Sequence, residues 1–273
     1  MTGLFASPKP LIAMIHVGAL PGTPQSRQTV AVLVEQAAAE ARLLADHGVD
    51  AIMLENMHDR PYLNRDVGPE ITAAMSALLA GVRSAVGADM PLGVQVLAGA
   101  NREALATAHA GGAQFVRVEG FVFAHVADEG LMPRADAGEL LRYRCRIGAE
   151  AVLILSDIKK KHSSHAITAD LDVGAAARAA EFFGADAVIV TGDETGRPAR
   201  PDHLRLVKES TRLPVLVGSG ITLESLPDLA PDADGFIVGS YLKRRGLWSN
   251  PPDPDRVRAM VQAVARHRVA SGR

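Results

Sequence analysis

Pro214-Val-Leu-Val-Gly-Ser-Gly-Ile-Thr222 and, after a helix-like segment, Asp234-Gly-Phe-Ile-Val-Gly-Ser-Tyr-Leu-Lys243 form a matched pair. In each, a short apolar run ends in Gly-Ser. Val215 to Val217 and Phe236 to Val238 lack the alternation of half-exposed strands and read as buried parallel strands. Gly218-Ser219-Gly220 and Gly239-Ser240 then fall where the chain leaves each strand at its C-terminal end. Glycine lets backbone N–H groups approach an anion, and serine adds a hydroxyl donor. Thr222 and Ser240 are expected to cap two helices whose positive ends meet at one spot. Two successive strands finishing this way match the phosphate site after strands 7 and 8 of a (β/α)8 barrel. A pair of tight turns without a ligand is the plainer alternative.

The rest of the chain agrees with that frame. It has 273 residues, 48% of them apolar, and a net charge of −2, which suits one α/β domain over residues 1–273. Near-neutral charge gives no case for nucleic acid or an acidic membrane surface. Cys145 is the single cysteine, so no internal disulfide or cysteine-based zinc site forms, and a reducing cytoplasm is the expected compartment. The first ten residues lack the apolar core of a signal peptide, and no apolar run approaches the length of a membrane span.

A phrase recurs along the chain: a helix ends in Gly-apolar-polar and a buried strand starts at once. It appears as Gly48-Val-Asp, Gly112-Ala-Gln, Gly148-Ala-Glu and Gly184-Ala-Asp. Strands are expected near residues 11–15, 51–54, 92–97, 115–118, 151–155 and 187–190, ahead of the final pair, with helices between them. Eight βα units in this length predict a single TIM barrel, with a doubly wound open sheet as the other arrangement local pattern allows. Asn101 is expected to cap the third helix. Residues 121–135 are long for a βα loop, which suggests a lid or binding loop.

In a barrel the active site lies at the C-terminal ends of the strands. Those ends present His16, Glu55 with Asn56, Arg117 with Glu119, Asp157 with Lys159, Lys160 and His162, and Thr191 with Asp193 and Glu194. Gln95 lies inside the third strand. Carboxylates and a histidine therefore face the Gly-Ser loops, so one side could move protons while the other holds an anion. Asp157, directly after its strand, is the first candidate acid/base or metal-binding carboxylate. Glu55 and Glu119 must pair, bind metal or reach a solvated pocket, because an unpaired buried carboxylate is costly; Glu119 could pair with Arg117. His16 could equally be a core histidine bonded to a carbonyl. Lys160 or Lys161 is expected on a solvated face, and Asp193 and Glu194 could cap their loop with Arg197. His16, Glu55, Asp157 and His162 could also supply ligands to a divalent metal, although no spacing supports one. No Walker loop and no Gly-x-Gly-x-x-Gly after the first strand points to a nucleotide.

Taken together, Ala13-Met-Ile-His-Val, Leu20-Pro-Gly-Thr-Pro, Glu55-Asn56, Leu92-Gly-Val-Gln-Val-Leu, Asp157-Ile-Lys-Lys-Lys-His162, Val190-Thr-Gly-Asp-Glu-Thr-Gly196, Val217-Gly-Ser-Gly-Ile-Thr and Ile237-Val-Gly-Ser-Tyr-Leu-Lys resemble the BtpA/SgcQ family over nearly the whole chain. The Gly-Ser-Gly element alone is shared by many phosphate-binding barrels; the ordered set is far more specific. The resemblance implies a ribulose-phosphate-binding type of barrel, and a family name that comes from photosystem I biogenesis. One departure stands out: Leu97-Ala-Gly-Ala-Asn101 occupies a place where a more polar Leu-Arg-Asn-Asp is expected.

The reading is an enzyme of lyase or isomerase type acting on a small phosphorylated metabolite such as a sugar phosphate. Ser219, Gly220, Gly239 and Ser240 would hold the phosphate, and Asp157 with Glu55 or Glu119 would move protons, without a redox cofactor. Lys159 could instead form a Schiff base if buried. The alternatives are a non-catalytic assembly factor and a metal-dependent hydrolase. A homo-oligomer, a dimer by default, is expected.

Overall fold

Eight parallel strands hydrogen-bond in a closed ring: β1 (Leu11–His16), β2 (Ala51–Glu55), β3 (Leu92–Gln95), β4 (Phe115–Val118), β5 (Leu153–Ile158), β6 (Ala187–Thr191), β7 (Val215–Gly218) and β8 (Gly235–Val238). The computed structural model describes residue 5 and residues 7–192 and 198–270. Helices α1 (Val30–Asp46), α2 (Pro69–Val86), α3 (Asn101–Ala110), α4 (Ala137–Arg146), α5 (Val173–Phe182), α6 (Pro201–Ser210), α7 (Leu226–Leu229) and α8 (Pro254–Ala270) follow the strands in turn. Pairing of β1 with β8, Leu11 opposite Phe236 through Ala13 opposite Val238, closes the ring and excludes the open sheet. No helix among the described residues is long and apolar enough to cross a membrane.

The recurring Gly-apolar-polar phrase builds the lower end of the barrel. Gly48, Gly112, Gly148 and Gly184 take positive φ and turn the chain off each helix. In three of the four the polar residue then caps the neighbouring strand, as Asp234 does outside the phrase. Asp50 accepts from the Leu11 N–H, Gln114 from Leu92, Asp186 from Ile154 and Asp234 from Val215, each at 2.8 Å. These N–H groups open buried strands and would otherwise lack acceptors.

Above them, inward-pointing side chains follow the two-residue period of each strand. Ile12, Met14, Ala51, Met53, Phe115, Leu155, Ala187, Ile189, Leu216 and Ile237 fill the barrel's interior as a cluster separate from the larger one beneath the helices. Phe115 reaches across to Gly93, where a Cβ would lie 2.0 Å from its ring.

Several local expectations shift. β3 ends at Gln95, and β5 runs on to Ile158, so Asp157 belongs to the strand. Asn101 lies inside α3 and uses its side chain to bind the Glu119 carbonyl and Asp136. The long 121–135 segment forms a strap: strands His125–Ala127 and Gly130–Met132 pair antiparallel, and Ser163–Ser164 joins them. Arg65 binds it to the barrel through Asp136 and the Gly120 and Arg134 carbonyls. The two helix N-caps expected at Thr222 and Ser240 do not form. Thr222 and Ser225 instead cap each other reciprocally ahead of the four-residue α7, and Ser240 starts a single 3-10 turn.

Gln114→Leu should cost about 1–3 kcal/mol, because it orphans the Leu92 N–H at the base of β3. Denaturant unfolding checks this; a loss below about 0.5 kcal/mol, the level of an ordinary surface substitution, would contradict the capping role.

Candidate active site

The topmost inward positions hold the ionisable groups. Register places His16 of β1 opposite Glu55 of β2, and Glu55 opposite Gln95 of β3. Arg117 and Glu119 continue the inward phase of β4 from Phe115, and Asp157 that of β5 from Leu155. On β7 and β8 the same phase falls on Gly218 and Gly239, which carry no side chain. The upper layer is therefore polar on one side and hollow on the other.

Every charge in it sits on an apolar floor and is largely buried. Arg117 forms a fork with Asp157, Nε to Oδ1 at 2.9 Å and Nη2 to Oδ2 at 2.8 Å. Burial alone would lower the guanidinium's pKa, but Asp157, Glu55 and Glu119 hold it above its ordinary value, so Arg117 stays charged. Burial raises the Asp157 carboxyl against Arg117's pull. Both Asp157 oxygens are thus taken, and the carboxylate anchors Arg117. The expected Arg117–Glu119 pair does not form; Glu119 pairs with the Lys160 ammonium at 3.1 Å, and Lys160 reaches Glu129 of the strap at 3.6 Å.

Glu55 and Glu119 are driven apart. Burial raises the Glu55 carboxyl, with Lys161 and Arg117 opposing. Burial also acts to raise Glu119, but Lys160 and then Arg117 more than offset it and hold the carboxyl below its usual range. One is a reluctant anion and the other a stable one. His16 lies 3.5 Å from Glu55 through Nε2, and its Nδ1 meets the Trp248 carbonyl at 2.8 Å. A carbonyl only accepts, so Nδ1 carries the proton and Nε2 keeps its lone pair toward Glu55. Burial, with Lys243 adding to it, lowers the imidazole to about 3.

Two cavities share this layer. One, of about 150 Å³, is lined by His16, Ser219, Gly220, Gly239, Ser240 and Arg256 among others. Ser219 and Gly220 take φ of 77° and 65°, and the N–H groups of Gly220, Ile221 and Gly239 donate to no protein acceptor among the described residues. A Cβ on Gly239 would press on the His16 ring at 3.0 Å. Arg256 holds its guanidinium over the Tyr241 ring at 4.2 Å and donates to the Tyr241 carbonyl. The second cavity, of about 280 Å³, is lined by Gln95, Glu119, Glu129, Lys160, His162 and Trp248 among others. Glu55, Met57, Arg117 and Lys161 line both.

The other sequence candidates are distributed unevenly. Gln95 donates to Glu119 at 3.4 Å, while its Oε1 is buried with no partner among the described residues. Asn56 is committed to scaffolding, bonding Asp59 and the Leu97 N–H. His162 is exposed at the rim, 3.8 Å from Asp128. Thr191 accepts from the Lys161 N–H at 3.2 Å. Lys159 turns away and donates to the Thr168 carbonyl beside a separate small cavity. Asp193, with Glu194 and Arg197, lies outside the described residues. Neither Lys160 nor Lys161 is a solvated surface lysine: Lys160 is 6% exposed and Lys161 is half-buried. Among the described residues, no three His, Cys, Asp or Glu side chains converge as metal ligands. Residues 244–250, with Trp248, and Arg256 carry no signal that the strand-end rule detects.

The profile of the BtpA family matches residues 7–266. The chain belongs to the BtpA family. It is 43% identical over 265 residues to a mitochondrial protein of Caenorhabditis elegans, covering 96% of this chain and 95% of that one. It is 34% identical over 262 residues to the photosystem I biogenesis protein BtpA of Synechocystis, covering 96% and 90%. Among solved structures it resembles orotidine 5′-monophosphate decarboxylase of Methanocaldococcus jannaschii (TM-score 0.61, 13% identity, 94% and 98% covered). It also resembles geranylgeranylglyceryl phosphate synthase of Thermoplasma acidophilum with sn-glycerol-1-phosphate (TM-score 0.59, 16% identity, 94% of each chain). At these identities the likeness is one of fold.

The depressed His16 gives a pH signature. Between 6.5 and about 3 the unfolded chain binds a proton on this residue that the folded chain refuses. Stability from it is present above 6.5 and is lost as pH falls, by up to about 1.4 kcal/mol per pH unit. Glu55, with its raised carboxyl, has the opposite sign. The difference in unfolding free energy between the protein and His16→Gln should therefore shrink steadily as pH falls from 6.5 to 4. Parallel curves would show that His16 titrates normally.

Proposed function

We propose that this BtpA-family barrel is an enzyme of the lyase or isomerase type acting on a small phosphorylated metabolite. The observation that carries the reading is the pairing of two carboxyl groups of opposite character, Glu55 and Glu119, on a cavity joined to a glycine-lined hollow beside Arg256. Glu55, protonated more readily, is the acid, and Glu119, held ionised by Lys160, is the base. Asp157 positions Arg117 between the two cavities. The phosphate would rest against the N–H groups of Gly220, Ile221 and Gly239 with Ser219, Ser240 and Arg256. Two fold neighbours, by their names, act on or bind phosphorylated compounds, which supports the substrate class. The exposed free Cys145 suits a reducing compartment such as the cytoplasm.

A second reading, a non-catalytic assembly factor, is favoured by the name of the Synechocystis relative and by Leu63, Leu131 and Ile167, exposed around the strap. On that reading, removing Glu55 and Glu119 leaves function intact, whereas polar substitutions at those three abolish it.

Thermal unfolding against phosphate, sulfate and a panel of sugar phosphates tests the site. A sugar phosphate at about a hundred times its dissociation constant adds roughly 2.7 kcal/mol, a rise of several degrees. Ser240→Asp and Arg256→Ala should each remove the rise. No rise with any compound would leave the Gly-Ser loops as turns.

A further inference from the structure

The acid/base reading leaves Lys161 unused. Its backbone is fixed on both sides, the N–H donating to Thr191 Oγ1 at 3.2 Å and the carbonyl accepting from Ser163 Oγ at 3.3 Å. Its side chain lines the glycine-walled cavity and the acidic one alike. The two lysines before it are spoken for: Lys159 by the Thr168 carbonyl, and Lys160 by Glu119 and Glu129. Two of the three carboxylates that attract Lys161 have a nearer cation, Asp157 in Arg117 and Glu119 in Lys160; the third, Glu55, has its carboxyl raised by burial and faces the neutral His16 Nε2 at 3.5 Å. Among the described residues the Lys161 ammonium makes no ion pair. Burial, and after it the Arg117 charge, hold it below the ordinary lysine value against the pull of Glu55. An amine so placed is a nucleophile at the seam between an anion-binding end and an acid/base end.

We propose that Lys161 forms a Schiff base with the substrate, which is an aldehyde or ketone bearing a phosphate. This rests on the phosphate site proposed above and narrows the substrate to carbonyl compounds. In the step, the neutral Lys161 amine attacks the carbonyl carbon, a C–N bond forms, and the carbonyl π pair moves to oxygen, which takes the Glu55 proton. The carbinolamine nitrogen returns its proton to the Glu55 carboxylate. Glu55 then protonates the hydroxyl, which leaves as water while the nitrogen lone pair closes the C=N bond. Amine, carbonyl and one proton thus give a protonated iminium and water. The iminium draws electrons from the adjacent carbon, so Glu119 can remove a proton there or from a neighbouring hydroxyl as a C–C bond breaks. Hydrolysis restores the amine. No oxidant or reductant takes part.

The test treats the protein with glycolaldehyde phosphate and then borohydride, and maps the reduced adduct by peptide mass. The same is done with unphosphorylated glycolaldehyde, and with Lys161→Arg, Lys161→Met and Lys159→Arg, each checked for folding by thermal unfolding. The expected result is one adduct per chain, on Lys161, unchanged in Lys159→Arg and lost in whichever Lys161 variant folds. Labelling scattered over surface lysines with Lys161 unmodified overturns the proposal. Equal labelling of Lys161 by both aldehydes keeps the amine assignment and overturns the phosphate site, so the two failures are distinguishable.

Discussion

In a closed parallel barrel, alternate side chains of every strand must point inward, and there is no second face on which to put them. Here the lower inward positions are filled with apolar side chains, Phe115 the largest of them. The next level up therefore rests on an apolar floor. Any charge placed there loses solvent from below and must find a partner at its own height or above. The site follows from that constraint. Arg117 locks onto Asp157, Lys160 onto Glu119, and burial leaves His16 neutral with its Nδ1–H on the Trp248 carbonyl.

The same geometry makes the hollow. Where the inward phase of β7 and β8 meets the upper level, the residues are Gly218 and Gly239, so the barrel is open at that corner. In the loops beyond, the N–H groups of Gly220, Ile221 and Gly239 donate to no protein acceptor among the described residues. Crowding on one side and emptiness on the other are two outcomes of one rule. Lys161 stands between them because Asp157 and Glu119 already hold other cations and burial makes Glu55 a reluctant anion.

Much of this was legible from residues alone. The buried runs ending in Gly-Ser gave β7 and β8, and the Gly-apolar-polar phrase marked the starts of other strands, because both reflect local backbone needs. The two-residue period, carried one step past β4, places Arg117 and Glu119 inside; past β5 it groups Lys159 with Lys161, whereas the turn there brings Lys160 and Lys161 to the cavity and sends Lys159 away. What could not be read was pairing. Whether Glu119 meets Arg117 or Lys160 depends on the turn after β5, where Lys159 and His162 take positive φ. The helix caps expected at Thr222 and Ser240 failed for a related reason: the chain after β7 tightens into a reciprocal Thr222–Ser225 cap, and a polar residue after a strand does not set the length of the helix that follows. Arg256 and Trp248 come from α8 and the segment before it, far in sequence from the strands they serve.

The most direct measurement is a crystal structure with glycerol phosphate, a phosphate monoester without a reactive carbonyl. The account predicts its phosphorus between Gly220, Gly239 and Arg256, with the glycerol carbons leading toward Glu55 and Lys161. A phosphate bound instead in the cavity lined by Arg65, Arg102 and Arg134 beneath the strap, with the Gly-Ser loops empty, would contradict it.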